Sequence, residues 1–229
     1  NRGDVMSVIL GLGDPAPAAP DGTVNWNFED HVWELESDFQ PGEVDFISTG
    51  AHELLHAVGF ASGIAQNGSD IAGQDAATQQ ANVGSWNVFD QYVANSTGRI
   101  IGQSANFVIQ QGDWNAASVG GTGNAGLLFD GPFAKAENGG NAVPLYSPTT
   151  WAAGSSGSHL DTDFFTGANQ KMMNHSGAPD GQIDIRTITS LERAILKDIG
   201  YSNIVIPEPS TNILALFGAL CLTARRRRK

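Results

Sequence analysis

The spacing of hydrophobic residues predicts an amphipathic helix over residues 45–58. Asp45 or Ser48 is suited to cap its first turn, since a short polar side chain can accept a hydrogen bond from an unpaired backbone N–H. Gly59 is suited to end it, because helices commonly close with a residue in the left-handed conformation. The apolar positions of this helix are Leu54, Leu55 and Val58.

A second helix is predicted over residues 187–200. Thr189 and Glu192 have the spacing of a capping box, in which each side chain accepts from the other residue's backbone N–H. Gly200 follows the last apolar position and is expected to end the helix. The apolar stripe consists of Leu191, Ala194, Ile195 and Ile199. We predict that this helix packs against the core without a chemical role.

Shorter apolar patterns predict strands on both sides of the first helix. Residues 4–10 form an apolar run typical of a buried strand, and residues 23–28 alternate polar and apolar positions. Further strands are expected at 88–93 and 105–110. The stretches rich in Gly, Ala, Asn and Asp are predicted loops: 11–22, 61–85, 111–126 and 130–158. The fold class is therefore α+β, with an N-terminal twisted sheet, a helix, and a loop-rich C-terminal part that ends in a final helix.

Composition indicates a globular, acidic protein. The chain has 229 residues, enough for one sizeable core, with 41% hydrophobic and only 16% charged residues. The formal net charge is −12, and the last five residues, Arg225–Lys229, are all basic, so the rest of the chain is more acidic still. Such a body repels nucleic acid, which we exclude as a partner. The one cysteine, Cys221, lies near the C-terminus, so the body has no disulfide or cysteine metal site.

The first helix carries the motif H-E-x-x-H, formed by His52, Glu53 and His56. Residues i and i+4 lie one above the other on a helix, so both imidazoles can bind one zinc ion. Glu53 is rotated by one residue from His52. It is placed to accept a proton from a metal-activated water without being a ligand. The motif therefore predicts a catalytic zinc site.

A catalytic zinc site needs a third protein ligand. In the compact arrangement H-E-x-x-H-x-x-G-x-x-H, the last position would be occupied here by Ser62, a poor zinc ligand. A glutamate from a later helix would have to be Glu192, which is better explained as a helix cap. His31 has no ligand spacing around it. His159 and His175 remain as candidates.

Three segments of the sequence resemble the leishmanolysin-like metzincins and their bacterial relatives: residues 52–60, 157–161 and 172–174. In that family an inserted segment separates the third histidine widely from the second. Here His159 lies 103 residues after His56. The small residues at 154–158 permit a close approach of backbone to the metal. The resemblance covers roughly residues 45–201 and favours His159 over His175.

The resemblance implies a zincin-like, metzincin-type catalytic domain, which we assign to residues 1–201. It implies one zinc ion per chain with His52, His56 and His159 as ligands, and Glu53 as the general base. Met173 would lie in a methionine-containing turn beneath the metal, as a packing residue rather than a ligand.

The C-terminal segment, residues 202–229, has three parts in order: Pro207–Pro209, an apolar stretch at 212–224, and the basic cluster. The apolar stretch is shorter than the about 20 residues of a stable membrane span. This layout resembles the PEP-CTERM sorting signal of Gram-negative bacteria. The resemblance implies export to the cell envelope or extracellular matrix, transient membrane anchoring by the tail, and processing by an exosortase near Pro207–Pro209. An ordinary C-terminal anchor with a stop-transfer cluster is the alternative.

The combined prediction is an exported zinc-dependent endopeptidase that hydrolyses protein or peptide substrates. One alternative is a non-catalytic envelope or matrix protein that retains a zincin fold. Glu53 argues against it, because a structural zinc site needs no base. A second alternative is a zinc hydrolase of non-peptide substrates. Acidic loops at 161–163 and 180–184 have carboxylates that suit calcium but are equally typical of turns, so calcium binding stays open.

Overall fold

The computed structural model describes residues 4–20, 22–36, 40, 42–70, 86–102, 107–176 and 185–202. Helices and strands are mixed. The helices are α1 (Asp4–Ile9), α2 (Phe46–Ala57), α3 (Gln111–Ala117), α4 (Pro132–Glu137) and α5 (Ser190–Ile199). The strands are β1 (Val32–Glu34), β2 (Glu43–Asp45), β3 (Val93–Asn95), β4 (Gly98–Arg99), β5 (Leu128–Phe129) and β6 (Val143–Pro144). Short 3₁₀ helices lie at Phe89–Tyr92, Gly123–Ala125 and Gly167–Asn169.

Helix α2 forms where its hydrophobic spacing predicts. Asp45 is the cap: its carboxylate accepts hydrogen bonds from the backbone N–H groups of Ile47 and Ser48. The helix ends at Ala57, and Gly59 has a φ of +98°, a conformation that favours glycine. This turn leads directly to Phe60, which is fully buried. The helix is thereby fixed at both ends.

Two predicted N-terminal strands are wrong. Residues 4–9 form helix α1, because a short apolar run fits a strand or a helix equally well and only one face of this one is covered. Met6 is buried, whereas Val8 and Ile9 are exposed. Residues 23–28 have no regular secondary structure and pair with no strand in the described part of the chain. Their aromatic side chains join a cluster instead, formed by Trp26, Phe28, Trp33 and Phe46.

The strands of the described residues form two small sheets. Strands β1 and β2 pair in parallel immediately before α2. The other sheet is antiparallel, in the order β4–β3–β5–β6. The strand predicted at 88–93 is mostly the 3₁₀ helix Phe89–Tyr92, and β3 begins only at Val93. Of the strand predicted at 105–110, residues 105 and 106 lie outside the described residues, and Ile109 forms an isolated bridge with Ile101.

Helix α5 packs on both α4 and the end of α2. Its predicted capping box is confirmed, with Thr189 and Glu192 bonded reciprocally. Asp198 caps α4 by accepting from the N–H groups of Phe133 and Ala134. The hydroxyl of Tyr201 donates to the carbonyl oxygen of Val58, 2.9 Å away. The segment that ends the final helix is therefore bonded to the end of the helix that carries H-E-x-x-H.

Candidate metal centre

Three histidine side chains converge at one point. Among the described residues, this is the only group of potential metal ligands that lies close together. His52 and His56 project from α2, and His159 comes from the loop that follows β6. The Nε2 atom of His52 is 3.0 Å from that of His159 and 3.1 Å from that of His56. The Nε2 atoms of His56 and His159 are 3.1 Å apart.

The opposite ring nitrogen of each histidine is bonded to a backbone carbonyl oxygen. The Nδ1 atoms of His52, His56 and His159 lie 2.8, 2.8 and 3.0 Å from the carbonyl oxygens of Met172, Phe60 and Ser155. A carbonyl oxygen only accepts, so each Nδ1 carries the proton. In the neutral imidazole each Nε2 is then a bare lone pair.

Three bare lone pairs facing one another at about van der Waals distance repel, and a cation between them removes that repulsion. Nitrogen ligands at about 2.0–2.1 Å from a tetrahedral zinc ion lie roughly 3.3 Å apart, close to the separations here. Metal-binding histidines also typically donate their second N–H to a carbonyl or carboxylate. The three residues therefore fit a zinc ion, which His52, His56 and His159 would hold through Nε2.

Burial keeps two of these imidazoles neutral. Desolvation, together with the neighbouring His56, lowers the pKa of His159 to about 3. Desolvation also lowers the pKa of His56, partly opposed by its bond to the Phe60 carbonyl and by the charge of Glu53. A neutral imidazole is the form that binds metal, so at neutral pH both rings are ready to act as ligands.

The segment that carries His159 is hydrogen-bonded through Ser158 to the loop that follows α2. The N–H of Ser62 donates to the Ser158 hydroxyl at 3.2 Å, and that hydroxyl lies 3.3 Å from the Ser62 carbonyl oxygen. Ser62 occupies the position where the compact motif would have its third histidine. Instead of a ligand, this position supplies the anchor for the segment that carries His159.

The loop after α2 is itself held by a buried carboxylate. Asp90 accepts from the Ser62 hydroxyl at 2.7 Å and from the N–H groups of Gly63 and Asn87. Burial raises the pKa of Asp90 to about 6, although these hydrogen bonds act to lower it. Asp90 therefore fixes the loop on which Ser62 and, through it, His159 depend.

The segment predicted to form the methionine turn is hydrogen-bonded to residues of the histidine cluster and beside it. Met173 is fully buried, and its carbonyl oxygen accepts from the Leu160 N–H. Its own N–H donates to Glu192 at 2.7 Å, so the capping residue of α5 also holds the turn. Met172 contributes through its backbone carbonyl, which orients His52. Neither methionine sulfur is needed as a ligand.

Glu53 and two further histidines lie around the site. Glu53 lines both a pocket of about 180 Å³, which it shares with His52, and a cleft of about 590 Å³, which it shares with His56. His175 lines the smaller pocket and His31 the larger cleft, and neither belongs to the converging group.

Sequence reasoning missed the three backbone carbonyls and Asp90. The run of small residues before His159 is the one sequence signal for the Ser155 carbonyl, four residues upstream. Of the acidic loops considered for calcium, 180–184 lies outside the described residues. In the other, the Asp161 carboxylate accepts from the backbone N–H groups of Gly123 and Asp163.

Comparison with known sequences identifies the C-terminal segment. Residues 205–229 match the PEP-CTERM protein-sorting motif, as the three-part layout predicts. Such signals mark proteins that Gram-negative bacteria export to the cell envelope, where an exosortase-type enzyme processes them. No curated protein and no solved structure matches this chain significantly. In the described part of the chain, none of the helices has the length and apolar character needed to cross a membrane.

Proposed function

We propose that the protein is an exported zinc-dependent endopeptidase related to the leishmanolysin-like metzincins. The observation that carries the proposal is the convergence of three Nε2 lone pairs from His52, His56 and His159, each imidazole oriented by a backbone carbonyl. Glu53 lies next to these ligands in the walls of both cavities. Three neutral imidazoles with an adjacent carboxylate are the donor set of a hydrolytic zinc site with an open position.

When bound, zinc would supply Lewis-acid activation of water and of the scissile carbonyl. Glu53 takes a proton from the attacking water while the oxygen of that water bonds to the carbonyl carbon. The C–N bond then breaks, and Glu53 delivers the same proton to the leaving amine nitrogen. Met173 packs in the methionine turn, and the Met172 carbonyl orients the His52 ring.

The cleft of about 590 Å³ favours a chain-like substrate. Its lining includes Glu53 and His56 of α2 together with residues 22–27. A peptide in extended form fits such a groove, whereas a small ester needs only the pocket beside His52. We therefore favour peptide bonds over non-peptide substrates, and catalysis over a purely structural zinc site.

The tail defines where the enzyme acts. We propose that the apolar stretch anchors the precursor transiently, that an exosortase cleaves near Pro207–Pro209, and that the catalytic domain, residues 1–201, is then free in the envelope or the extracellular matrix. The acidic body and the described site are compatible with a role outside the cytoplasmic membrane.

Metal analysis combined with casein hydrolysis tests this proposal. We expect about one zinc ion per purified chain, casein cleavage that chelators abolish and zinc restores, and little cleavage of generic esters. His159→Ala should lose both zinc and activity, whereas His31→Ala, a matched histidine outside the triad, should keep the metal. A zinc-loaded protein that leaves casein intact would contradict the endopeptidase, and a metal-binding His159→Ala variant would contradict the ligand assignment.

A further inference from the structure

His175 lies beside the metal centre without belonging to it. It lines the pocket of about 180 Å³ together with His52 and Glu53, and it follows the methionine turn directly. Its ring is half-buried, and its charge is close enough to act on the pKa of His159. Because His175 shares this pocket with His52 and Glu53, its hydrogen-bonding state bears on any substrate bound there.

Two contacts hold the His175 ring in a single orientation. The ring stacks on Tyr146, with centroids 3.6 Å apart and planes 9° from parallel. Its Nδ1 lies 2.6 Å from the hydroxyl oxygen of Thr162, which also accepts from the His175 backbone N–H at 3.0 Å. Tyr146 is in turn bonded through its backbone N–H to the carbonyl oxygen of His159. The ring is therefore fixed relative to the metal ligands.

The contact with Thr162 also decides which ring nitrogen carries the proton. The Thr162 hydroxyl oxygen already accepts the backbone N–H of His175, and among the described residues Nδ1 is the one acceptor bonded to this hydroxyl. The Thr162 hydroxyl therefore donates to Nδ1, and the neutral ring carries its proton on Nε2. Within the described ranges, no hydrogen bond engages this Nε2–H.

We propose that His175 is a catalytic residue whose Nε2–H donates a hydrogen bond to the carbonyl oxygen of the peptide bond being cleaved. This role rests on the proposed endopeptidase function and adds a second polar contact to it. Negative charge grows on that oxygen as water attacks, so a fixed donor binds the transition state more tightly than the substrate. No proton is transferred. Thr162 and Tyr146 are positioning residues.

Burial supports a neutral donor. It lowers the pKa of His175, although Asp163 and Asp161 act in the opposite direction. The residue is thus matched to the three ligand histidines in type but opposite in tautomer: they carry the proton on Nδ1, and His175 carries it on Nε2. The ligands present lone pairs to a cation, and His175 presents a donor to an anion.

Kinetics on the full-length, zinc-loaded protein test the role. His175→Phe keeps a ring to stack on Tyr146 but has no donor. We expect kcat on casein to fall about 10²-fold with little change in KM, while zinc content and thermal midpoint stay as in the wild type. His175→Gln, which keeps an N–H donor, should recover part of the loss. Thr162→Val should lower kcat, and Thr162→Ser, which keeps the hydroxyl, should not.

A spectroscopic measurement tests the tautomer without any substrate. With ¹⁵N-labelled histidine in the zinc-loaded protein, His175 should show a protonated Nε2 and a bare Nδ1, and Thr162→Val should redistribute the proton. A protonated Nδ1 in the wild type, or an active wild type with an unaffected His175→Phe, would overturn this role alone. A zinc-loaded wild type that fails to cleave casein would overturn the proposed function, and this role with it.

Discussion

At the residue scale, the site depends on which ring nitrogen of each histidine is hydrogen-bonded to a backbone carbonyl. The carbonyls of Met172, Phe60 and Ser155 take the Nδ1 protons of the triad, so orientation and protonation are set by the same three bonds. Met172, Phe60 and Ser155 act through their backbone carbonyls, so a substitution at any of them changes the side chain and leaves the carbonyl in place. Substitution of the histidines or of Glu53 therefore probes the chemistry more directly than substitution of their partners.

Replacing Glu53 by glutamine separates catalysis from metal binding. Glu53→Gln keeps the size and hydrogen bonding of the side chain but cannot accept a proton from water. We expect zinc content and the thermal midpoint to be unchanged and casein turnover to fall about 10²–10⁴-fold. Zinc stoichiometry and turnover measured on one sample give the answer. Full zinc with near-wild-type turnover would remove Glu53 from the mechanism, and lost zinc would make it a ligand.

At the element scale, α2 is tied to the rest of the molecule at its first turn and just past its last. At the start, Asp45 caps the helix and forms an ion pair with Arg186, whose Nε is 2.7 Å from the carboxylate. Arg186 also donates to the carbonyl oxygens of Leu35 and Glu36, near strand β1. Past the end, Asp90 holds the loop that contains Ser62. Small changes at either carboxylate should therefore reach the metal centre.

The cap of α2 can be tested with a matched pair of substitutions. Asp45→Ala removes both the cap and the Arg186 contact and should lower the free energy of unfolding by about 1–2 kcal/mol. Asp45→Asn keeps a capping oxygen and loses the ion pair, so it should cost less. Urea unfolding followed by circular dichroism measures both. Equal losses for the two variants would show that the ion pair, not the cap, stabilises this end.

Asp90 predicts a specific pH dependence. Burial raises the pKa of Asp90 in the folded protein to about 6. The protonated form therefore stabilises the fold fully when the pH is below the pKa of Asp90 in the unfolded chain, and this stabilisation is lost as the pH rises through about 6. Between pH 7 and pH 5, the wild type should therefore gain stability relative to Asp90→Asn, which does not titrate there. Unfolding free energies of both proteins at the two pH values test this. A difference that does not change with pH would mean that Asp90 is ionised throughout.

Local patterns in the sequence predict helices α2 and α5 and the capping box of α5, because capping and helical periodicity are properties of neighbouring residues. For the cap of α2 they leave two candidates, Asp45 and Ser48, of which Asp45 is the cap. The two N-terminal strands were mispredicted, since a short apolar run does not reveal which face the rest of the chain will cover. At the site, His52, Glu53 and His56 follow from the motif alone. That His159, rather than His175, joins them depends on contacts such as Ser62–Ser158, between loops distant in sequence.

At the scale of the whole molecule, the described body and the tail have opposite character. The body is acidic, has a buried core and carries the candidate site, whereas the tail combines an apolar stretch with five consecutive basic residues. The sorting motif matches residues 205–229, only a few residues after α5 ends. Cleavage in the tail would therefore leave every residue of the candidate site in the mature protein.

Intact-mass measurement tests this processing. In cells that contain the matching exosortase, we expect the envelope-fraction protein to lack residues beyond about Pro209, and cells without the exosortase should retain the full tail. Replacing the Pro-Glu-Pro segment by alanines is the matched control and should block the cleavage. A mature protein that still carries Arg225–Lys229 would contradict the prediction.

The separation of 103 residues between His56 and His159 has a consequence for when the proposed metal site can form. A contact between segments so distant forms only after the intervening chain has been ordered, because its closure entropy must be offset first. Before then, α2 offers two imidazoles and no third. The proposed metal site is therefore complete only in the folded chain, and for the proposed endopeptidase this makes activity depend on completed folding.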